Sequence, residues 1–517
     1  MSTFLADYPH LLILVPLAGG LIMLALDRAA LRYTLLLLVA AAHLLLAASL
    51  LARFALTPEG HTVNAPVALW GLLQPDATGT LFLTLASLLF AAASVYAVGY
   101  LRAEAAANAA PRRMNDGTAF TNAPERRFLC CLCLFLASMS LVTTTAHMGA
   151  LWVGIECTTF SSAPLIYFHR HGQSLEATWK YLMLCSVGIA FALLGNILMS
   201  MGFYPAEADV NQVAFYTARA AQSLATHSVP EPWLKASFVF LLVGYGTKMG
   251  LAPLHNWLPD AHSQAPSLVS ALLSGALLNC ALLGILRGHQ VMAAAGLAQF
   301  SGGLLCFFGL LSMVVAAVFI IDQGHYKRLL AYSSIEHMGI LALGVGLSGG
   351  ALFGALLHAI CHSTSKCMLF LLSGNILTHY HTPSSYDARG LRWTMPLTAM
   401  LWMAGFLAIT GTPPFGTFVS EFSILKELVQ QEHWVKVGIY LGALGMIFIG
   451  MSVPFLRMTQ GLKPPAVAPR FRESVWNIAP SLALGLIVLT LGLWVPDWLE
   501  RFLRMAAANL GGVRHGL

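Results

Sequence analysis

A small set of ionisable side chains lies inside long apolar stretches of this sequence. A charge at bilayer depth costs at least about 2.5–3.5 kcal/mol, so it persists only when it is paired, faces a wet cavity or is used. Carboxylates, amines and imidazoles in such places can pass protons, because each can gain or lose one. The candidate residues are Glu156, Lys248, Glu336, Lys366, Glu421, His43, His337, His358 and His362.

Lys248 lies in a segment, Val243 to Pro253, whose glycines and proline would interrupt a helix. An interrupted helix exposes backbone carbonyls, and such backbone is tolerated at membrane depth only against protein or a wet cavity. The segment therefore predicts a lysine that exchanges a proton in a partly hydrated place. The alternative is a lysine whose ammonium extends to the membrane surface.

A second interruption is predicted at residues 410–416, where Pro413 and Pro414 follow a glycine and cannot continue a helix. Glu421 comes shortly after it and is the acid of this second break. A further acid, Glu156, lies among hydroxyl residues deep in an apolar stretch. A lone buried glutamate would take up a proton, so its ionised form needs a cation, for which Lys248 is the natural candidate.

His358, His362 and Lys366 are spaced at i, i+4 and i+8, which puts them on one helix face in steps of about 6 Å. A stack of histidines that ends in a lysine is typical of a proton relay. A metal site would need two further ligands, of which Glu336 supplies one. Two other interpretations stay open. One is that the histidines are packing residues bonded to backbone, and the other is that Glu336 and His337 form a solvated pair at the membrane surface.

The rest of the chain is suited to lipid. Of its 517 residues, 57% are hydrophobic and 10% are Asp, Glu, Lys or Arg, against about 25% charged residues in soluble proteins. So few charges cannot cover a globular surface, and a net charge of +6 is spread too thinly for nucleic-acid binding. The nine cysteines, with a C-x-x-C from Cys130 to Cys133, lie mostly in apolar runs, which indicates inert thiols.

Fourteen stretches are long enough to cross a membrane, because a bilayer core of about 30 Å needs roughly 20 apolar residues in a helix. Most lysines and arginines outside them fall in the odd-numbered loops, which the positive-inside rule places in the cytoplasm. We therefore expect an all-α, multi-pass protein of the bacterial inner membrane with both termini on the periplasmic side. The stretches are about 11–27, 33–53, 77–101, 128–147, 149–168, 179–203, 235–253, 265–287, 299–321, 329–348, 350–378, 394–428, 437–457 and 478–496.

The two interruptions fall in the seventh and twelfth spans, five spans apart. Two five-helix repeats, helices 4–8 and 9–13, would put both breaks at the same place, and an odd number of helices inverts the second repeat. The predicted units are three N-terminal spans with a cytoplasmic loop (1–127), the first repeat (128–287), the second repeat (299–459) and a C-terminal span with its tail (460–517).

Several separated motifs resemble one family. The segment from Gly246 to Ser267 looks like the antiporter-like, proton-translocating membrane subunits of respiratory complex I and of group 4 membrane-bound [NiFe] hydrogenases. Within that superfamily the chain resembles most the F-type subunit of hydrogenase-4 and formate-hydrogenlyase-like complexes. The motifs of this narrower likeness are Trp152 to Thr159, Ala177 to Tyr181, Ser270 to Cys280, Lys327 to Ser334 and His358 to Lys366.

The resemblance implies roles for the candidate residues. Glu156 and Lys248 would form the glutamate–lysine pair of the family, and Glu421 would be the titratable residue of the second interrupted helix. The proton-translocating residues would be Glu156, Lys248, His358, His362, Lys366 and Glu421, with Glu336, His337 and Asn279 as accessory residues and no metal. Asn279 stands where complex I relatives commonly carry a lysine, and the hydrogenase-like relatives share the asparagine, so we expect Lys366 and the histidines to take over that step.

The resemblance also implies a chain without a cofactor of its own. Electrons would pass through [NiFe] and iron–sulfur centres of a peripheral hydrogenase-like arm, and other antiporter-like membrane subunits would be further partners. Two other functions share the fold: a Na⁺/H⁺ antiporter subunit of the multisubunit cation-exchange type, and a membrane scaffold that no longer pumps, to which Asn279 gives some weight. A stand-alone metalloenzyme fits least, because the polar cluster lacks a closed ligand set.

Overall fold

The computed structural model describes residues 8–57, 67–107, 112–113, 119–202, 230–462 and 473–510. These residues form 18 helices, and their one strand pair joins Arg112–Arg113 to Ala119–Phe120. Helices dominate because a helix pairs its own backbone donors and acceptors, which lipid cannot do. The first nine are α1 (Leu11–Ala25), α2 (Ala29–Ala55), α3 (Ala77–Ala107), α4 (Glu125–Thr144), α5 (Met148–Ile166), α6 (Gly172–Gly202), α7 (Glu231–Met249), α8 (Trp257–Gln264) and α9 (Ser267–Ala294).

The second half of the described chain is equally helical. Its helices are α10 (Ala298–Ile320), α11 (Tyr326–Leu347), α12 (Gly349–Tyr380), α13 (Leu391–Thr394), α14 (Pro396–Ile409), α15 (Gly416–Gln430), α16 (Trp434–Gln460), α17 (Val475–Leu493) and α18 (Asp497–Asn509). Within the described residues, ten helices are long and apolar enough to cross a membrane, and α1 and α14 are shorter apolar helices. The predicted all-α membrane fold is thereby confirmed. The total of fourteen spans, the inverted repeats and the four units stay predictions.

The first predicted interruption is confirmed between α7 and α8. α7 ends at Met249, and Gly250 follows in the left-handed region with φ 84°. A Cβ atom there would lie 2.5 Å from Leu258 Cδ1, so the turn requires glycine on both grounds. Trp257 Nε1 donates to the carbonyl of Thr247 at 2.8 Å, which supplies a donor near the end of the broken helix.

The second predicted interruption is confirmed between α14 and α15. α14 ends at Ile409, and Gly411 adopts φ 61° before the two prolines. A Cβ atom on Gly411 would lie 2.0 Å from Glu421 Oε2. The turn thus needs glycine at this point, because the carboxylate of Glu421 lies directly against its backbone.

A further helix, α18, lies beyond the last predicted span. It is amphipathic and buries Leu499, Phe502 and Leu503 against the bundle, while Thr78 Oγ1 donates to the carbonyl of Ala506 at 3.3 Å. Its 13 residues are too few to cross a bilayer, so hydropathy alone gives no sign of it. The nine cysteines are all free, and seven of them are buried.

Candidate functional site

Lys248 is completely buried in the last turn of α7 and points into a group of hydroxyls. Its Nζ donates to Thr159 Oγ1 at 2.8 Å and to the Tyr181 hydroxyl at 2.6 Å, and it lies 4.4 Å from the centre of the Tyr181 ring. The three residues come from α7, α5 and α6. The ammonium therefore does not reach the membrane surface, and the surface-directed alternative is wrong.

Glu156 lies beside this group on α5, half-buried. Its Oε1 accepts a hydrogen bond from Ser186 Oγ at 2.9 Å, and its Oε2 accepts one from Thr159 Oγ1 at 3.4 Å. The Thr159 hydroxyl thus stands between the two charges, accepting from Lys248 and donating to Glu156. The predicted partners are brought together through this hydroxyl rather than by direct ion pairing.

A second buried group gathers the histidines of α11 and α12. His358 Nε2 and His337 Nδ1 are 3.0 Å apart, and the ring centres of His337 and His362 are 4.9 Å apart. The rings of His358 and His362 are farther apart, at 6.5 Å. The spacing of the two rings agrees with the predicted steps of about 6 Å along one helix face, and His337 of the neighbouring helix adds a third ring between them, which the sequence did not predict.

Lys366 lies at the other end of this histidine group and is completely buried. Its Nζ donates to the carbonyl of Leu330 at 2.7 Å and to Ser333 Oγ. Glu336 is close enough to Lys366 to interact electrostatically and is 2% exposed, with no hydrogen-bond partner for Oε2. Such burial rules out a solvated surface pair for Glu336 and His337.

Glu421 completes the histidine group from α15. His337, His358 and Glu421 each offer one atom that could bind a metal, and these three atoms all lie within 4.8 Å of one another. Ser420, next to Glu421, lies 2.9 Å from His358 Nδ1 through its Oγ, and Glu421 Oε1 has no hydrogen-bond partner. The three donors are one short of a closed tetrahedral metal set, and the facing histidine nitrogens hydrogen-bond each other.

Asn279 lies on α9 and contacts Ser363, the residue after His362, on α12. Its Nδ2 donates to the Gly275 carbonyl at 2.9 Å and to Ser363 Oγ at 2.7 Å, while its Oδ1 has no hydrogen-bond partner. A π-helical turn at Leu273–Leu277 precedes it. Such turns are frequent at functional sites. Asn279 thus presents a free acceptor and no charge at this position.

Two buried basic residues, Lys327 and His262, were missed as functional candidates. Lys327 was assigned to a loop, but it lies in the first turn of α11, 1% exposed, and its Nζ donates to the Ala265 carbonyl at 2.6 Å. His262 is completely buried, and neither ring nitrogen has a hydrogen-bond partner. It lies close enough to Lys327 and Lys366 to interact electrostatically with both. The signal in the sequence was a histidine just after the first interruption.

An ionic cluster lies on the exposed side of these two residues. Asp260 on α8 binds Lys180 of α6 at 3.0 Å and Arg328 of α11 at 2.6 Å. The sequence places Lys180, Lys327 and Arg328 on the basic side of the membrane by the positive-inside rule. Asp260 is thus partly exposed, at 23%, whereas Lys327, His262 and Lys366 are all buried.

A family model described as NADH:quinone oxidoreductase/Mrp antiporter, transmembrane, matches residues 145–447, more than half of the chain. The chain belongs to this antiporter-like family. The matched range contains every predicted proton-translocating residue as well as His262 and Lys327. The predicted family is confirmed, and the chain is an antiporter-like membrane subunit of the respiratory-complex type.

Curated relatives of this antiporter-like subunit include two hydrogenase-4 components. The hydrogenase-4 component F homolog of Methylacidiphilum infernorum is 36% identical over 376 residues, which cover 71% of this chain and 76% of the relative. Hydrogenase-4 component B of Escherichia coli is 29% identical over 74% of this chain and 54% of the relative. Chain 4 of the NAD(P)H-quinone oxidoreductase of Thermosynechococcus vestitus is 32% identical over 55% of this chain and 52% of the relative. The matches therefore span about half the length of the last two relatives.

Solved structures of the same fold cover nearly the whole antiporter-like chain. The archaeal membrane-bound sulfane sulfur reductase contains one with a TM-score of 0.83 and 20% identity over 98% of both chains. The Mrp complex from Dietzia contains another, with a TM-score of 0.81 and 21% identity over 98% of this chain and 97% of that one. Respiratory complex I from Thermus thermophilus contributes a third, with a TM-score of 0.78 and 22% identity over 97% and 99%. All three are subunits of membrane complexes, so membrane-subunit partners are expected for this chain as well.

Proposed function

We propose that this antiporter-like subunit moves protons across the membrane through two groups of residues. The lysine group consists of Lys248, Thr159, Tyr181 and Glu156, and the histidine group consists of His337, His358, His362, Lys366, Glu336 and Glu421. The observation that carries the proposal is the contact of four ionisable residues from three helices, His337, His358, His362 and Glu421, completely buried or nearly so. Burial of so many polar groups is costly, and several of their atoms have no hydrogen-bond partner in the protein. Such groups serve proton transfer better than packing, because waters can join them into a path.

The proposed path has an entrance, a coupling element and an exit. Protons enter from the side of the membrane whose loops carry most of the lysines and arginines. They pass Asp260 and Lys327 to His262, and continue to Lys366 and the histidine group. They leave through Glu421 at the second interruption. The charge state of Glu156 and Lys248 controls this transfer, because opposite charges on the two sides of the Thr159 hydroxyl interact by a few kcal/mol at intermediate dielectric.

The remaining features of the assembly belong to the same proposal. The subunit lies in a bacterial inner membrane with both termini on the periplasmic side, and crosses it fourteen times with two inverted repeats. Electron transfer takes place in a peripheral hydrogenase-like arm with [NiFe] and iron–sulfur centres, and this chain carries no cofactor. The likeness to hydrogenase-4 components supports this choice of arm.

The proposal is tested on the whole complex, purified with its own partners and reconstituted into vesicles. Redox turnover and acidification or alkalinisation of the vesicle lumen are measured together. Proton movement that needs turnover and not sodium supports the proposal. Sodium-dependent proton exchange without turnover would show a cation exchanger instead, and turnover without any proton movement would show a scaffold.

The Thr159 hydroxyl offers a fine test of the coupling element. Thr159→Val keeps the shape of the side chain but removes the hydroxyl between Lys248 and Glu156, so we expect proton movement per turnover to fall about tenfold. The matched control is Thr158→Val. Thr158 is equally buried, and its hydroxyl donates only to the Ile155 carbonyl, at 2.6 Å. Equal proton yields in the two variants would contradict the coupling role.

The entrance is tested at His262. His262→Asn keeps a polar side chain but cannot gain and lose a proton near neutral pH, so we expect proton uptake to slow about tenfold. His289→Asn is the control, because His289 is also buried and bonds only Ser301, with a ring nitrogen 2.8 Å from Oγ. The measurement is the initial rate of uptake in vesicles at fixed turnover. An unchanged rate in His262→Asn would remove this histidine from the path.

A further inference from the structure

Two apolar grooves flank the end of α16 that lies near the α10–α11 connection. The larger has a volume of about 400 Å³, and the smaller about 230 Å³. The larger is lined by Met446, Ile449, Gly450, Val453, Pro454 and Ile321, and it ends at Arg457, Tyr386, Asp322 and Gln323. The smaller is lined by Pro396, Ala399, Met400, Met403 and Thr459, and it ends at Arg392 and Gln460.

Each groove is open to the lipid side of the bundle. Ile449 is 67% exposed and Val453 52% in the larger groove, and Met400 is 58% exposed in the smaller. Exposed aliphatic side chains of this kind contact hydrocarbon in a membrane. The lipid around the bundle supplies acyl chains that fill such apolar grooves.

Each groove also ends at an arginine that rests on an aromatic ring. The guanidinium of Arg457 lies 4.1 Å from the Tyr386 ring centre, and that of Arg392 lies 4.5 Å from the Trp393 ring centre. Arg389 lies near the end of α16. A Cβ atom added to Gly461, the residue that follows this helix, would be 3.1 Å from Arg389 Cβ. Trp and Tyr mark the level of the lipid headgroups, so the arginines stand where lipid phosphates lie.

These arginines have no acidic partner in the described part of the chain. No carboxylate lies within 4.0 Å of Arg389, Arg392 or Arg457. The acid of the larger groove, Asp322, instead accepts a hydrogen bond from the Tyr386 hydroxyl at 3.1 Å. The cations therefore remain available to an anion from outside the chain.

We propose that this end of α16 binds an anionic phospholipid. The phosphate lies between Arg457, Arg389 and Arg392, and the acyl chains occupy the two grooves on either side of the helix. Basic pockets between membrane helices bind anionic headgroups, and a guanidinium matches a phosphate with two parallel hydrogen bonds. The site is independent of the proton path, because none of its residues belongs to either buried group.

The headgroup contact is tested on the full chain, purified in a neutral detergent. Phosphatidylglycerol and phosphatidylcholine with the same acyl chains are added in turn, and bound lipid is measured by native mass spectrometry. We expect phosphatidylglycerol to be retained and phosphatidylcholine to be lost. Arg457→Gln should weaken retention about fivefold, the factor that corresponds to about 1 kcal/mol for one basic side chain at a membrane surface.

Two controls separate specific binding from general attraction. Arg28→Gln removes an exposed arginine of another loop and should leave retention unchanged, whereas Arg457→Lys, which keeps the charge but loses the paired hydrogen bonds, should weaken it less than Arg457→Gln. The grooves are tested by Val453→Trp, which fills the larger one, against Leu45→Trp on the lipid-facing surface of α2, where Leu45 is 71% exposed. Equal retention of the two lipids, or equal loss in Arg457→Gln and Arg28→Gln, would overturn the proposal, as would a tryptophan at 453 without effect.

Discussion

Replacing Lys248 by methionine is expected to reduce proton movement per turnover about a hundredfold, within the range that a positioned proton-transfer group contributes. The ammonium is completely buried and donates to Thr159 and Tyr181, so no water-exposed group can substitute for it. Methionine has a similar length and no charge, so the packing at the end of α7 is preserved. The measurement is lumen pH against redox turnover in vesicles that contain the assembled complex.

Lys235→Met is the matched control for Lys248→Met. Lys235 lies on the same helix, but at its exposed end, where it binds Glu231 at 2.7 Å. An exposed pair of this kind contributes little, so we expect normal assembly and normal proton movement. A complex with Lys248→Met that assembles and pumps like the one with Lys235→Met would contradict the proposed mechanism.

Glu156→Gln gives an independent check of the same element. The amide keeps an oxygen that can accept from Ser186 or Thr159 but removes the negative charge, so the hydroxyl bridge survives while the coupling is lost. We therefore expect a loss of proton movement similar to that of Lys248→Met. A normal proton yield would show that the bridge matters and the charge does not.

The fold was predictable because the rules of the lipid environment act locally. Backbone that must pair with itself forces long apolar stretches into helices, and glycine followed by proline ends them, which placed both interruptions correctly. Hydropathy could not show α18, which is too short and too polar to span. Hydropathy also misplaced Lys327. A lysine at the end of an apolar stretch is assigned to the loop by hydropathy, whether its side chain turns outward or into the bundle.

The candidate site was predictable as a set of residues but not as a set of contacts. The cost of a buried charge singles out Lys248 and Glu421 in the sequence. Whether Lys248 meets Glu156 directly depends on how α5 and α7 are rotated against each other, and the rotation places Thr159 between them. In the same way, His337 lies between two histidines of α12 because α11 packs against that helix, a relation that spacing along one helix cannot reveal.

His358→Gln is expected to lower proton movement about a hundredfold as well. His358 contacts both His337 and Ser420, so it links α11 to α15 through its two nitrogens. An imidazole can accept a proton at one nitrogen and release another from the opposite one. Glutamine can hydrogen-bond in the same space but has no such pair of sites, so the path should be cut while the fold persists.

His43→Gln decides whether this loss reflects proton transfer or merely a buried histidine. His43 is completely buried too, and its nitrogens lie 2.8 Å from Ser140 Oγ and 2.8 Å from Ser87 Oγ, far from the two proposed groups along the chain. If histidines in this protein serve packing alone, both variants should lose stability and proton movement alike. If His358 transfers protons, His43→Gln should pump normally when the two variants are compared at temperatures at which they are equally folded. The two serine contacts of His43 hold its ring in place and do not lead to another ionisable group.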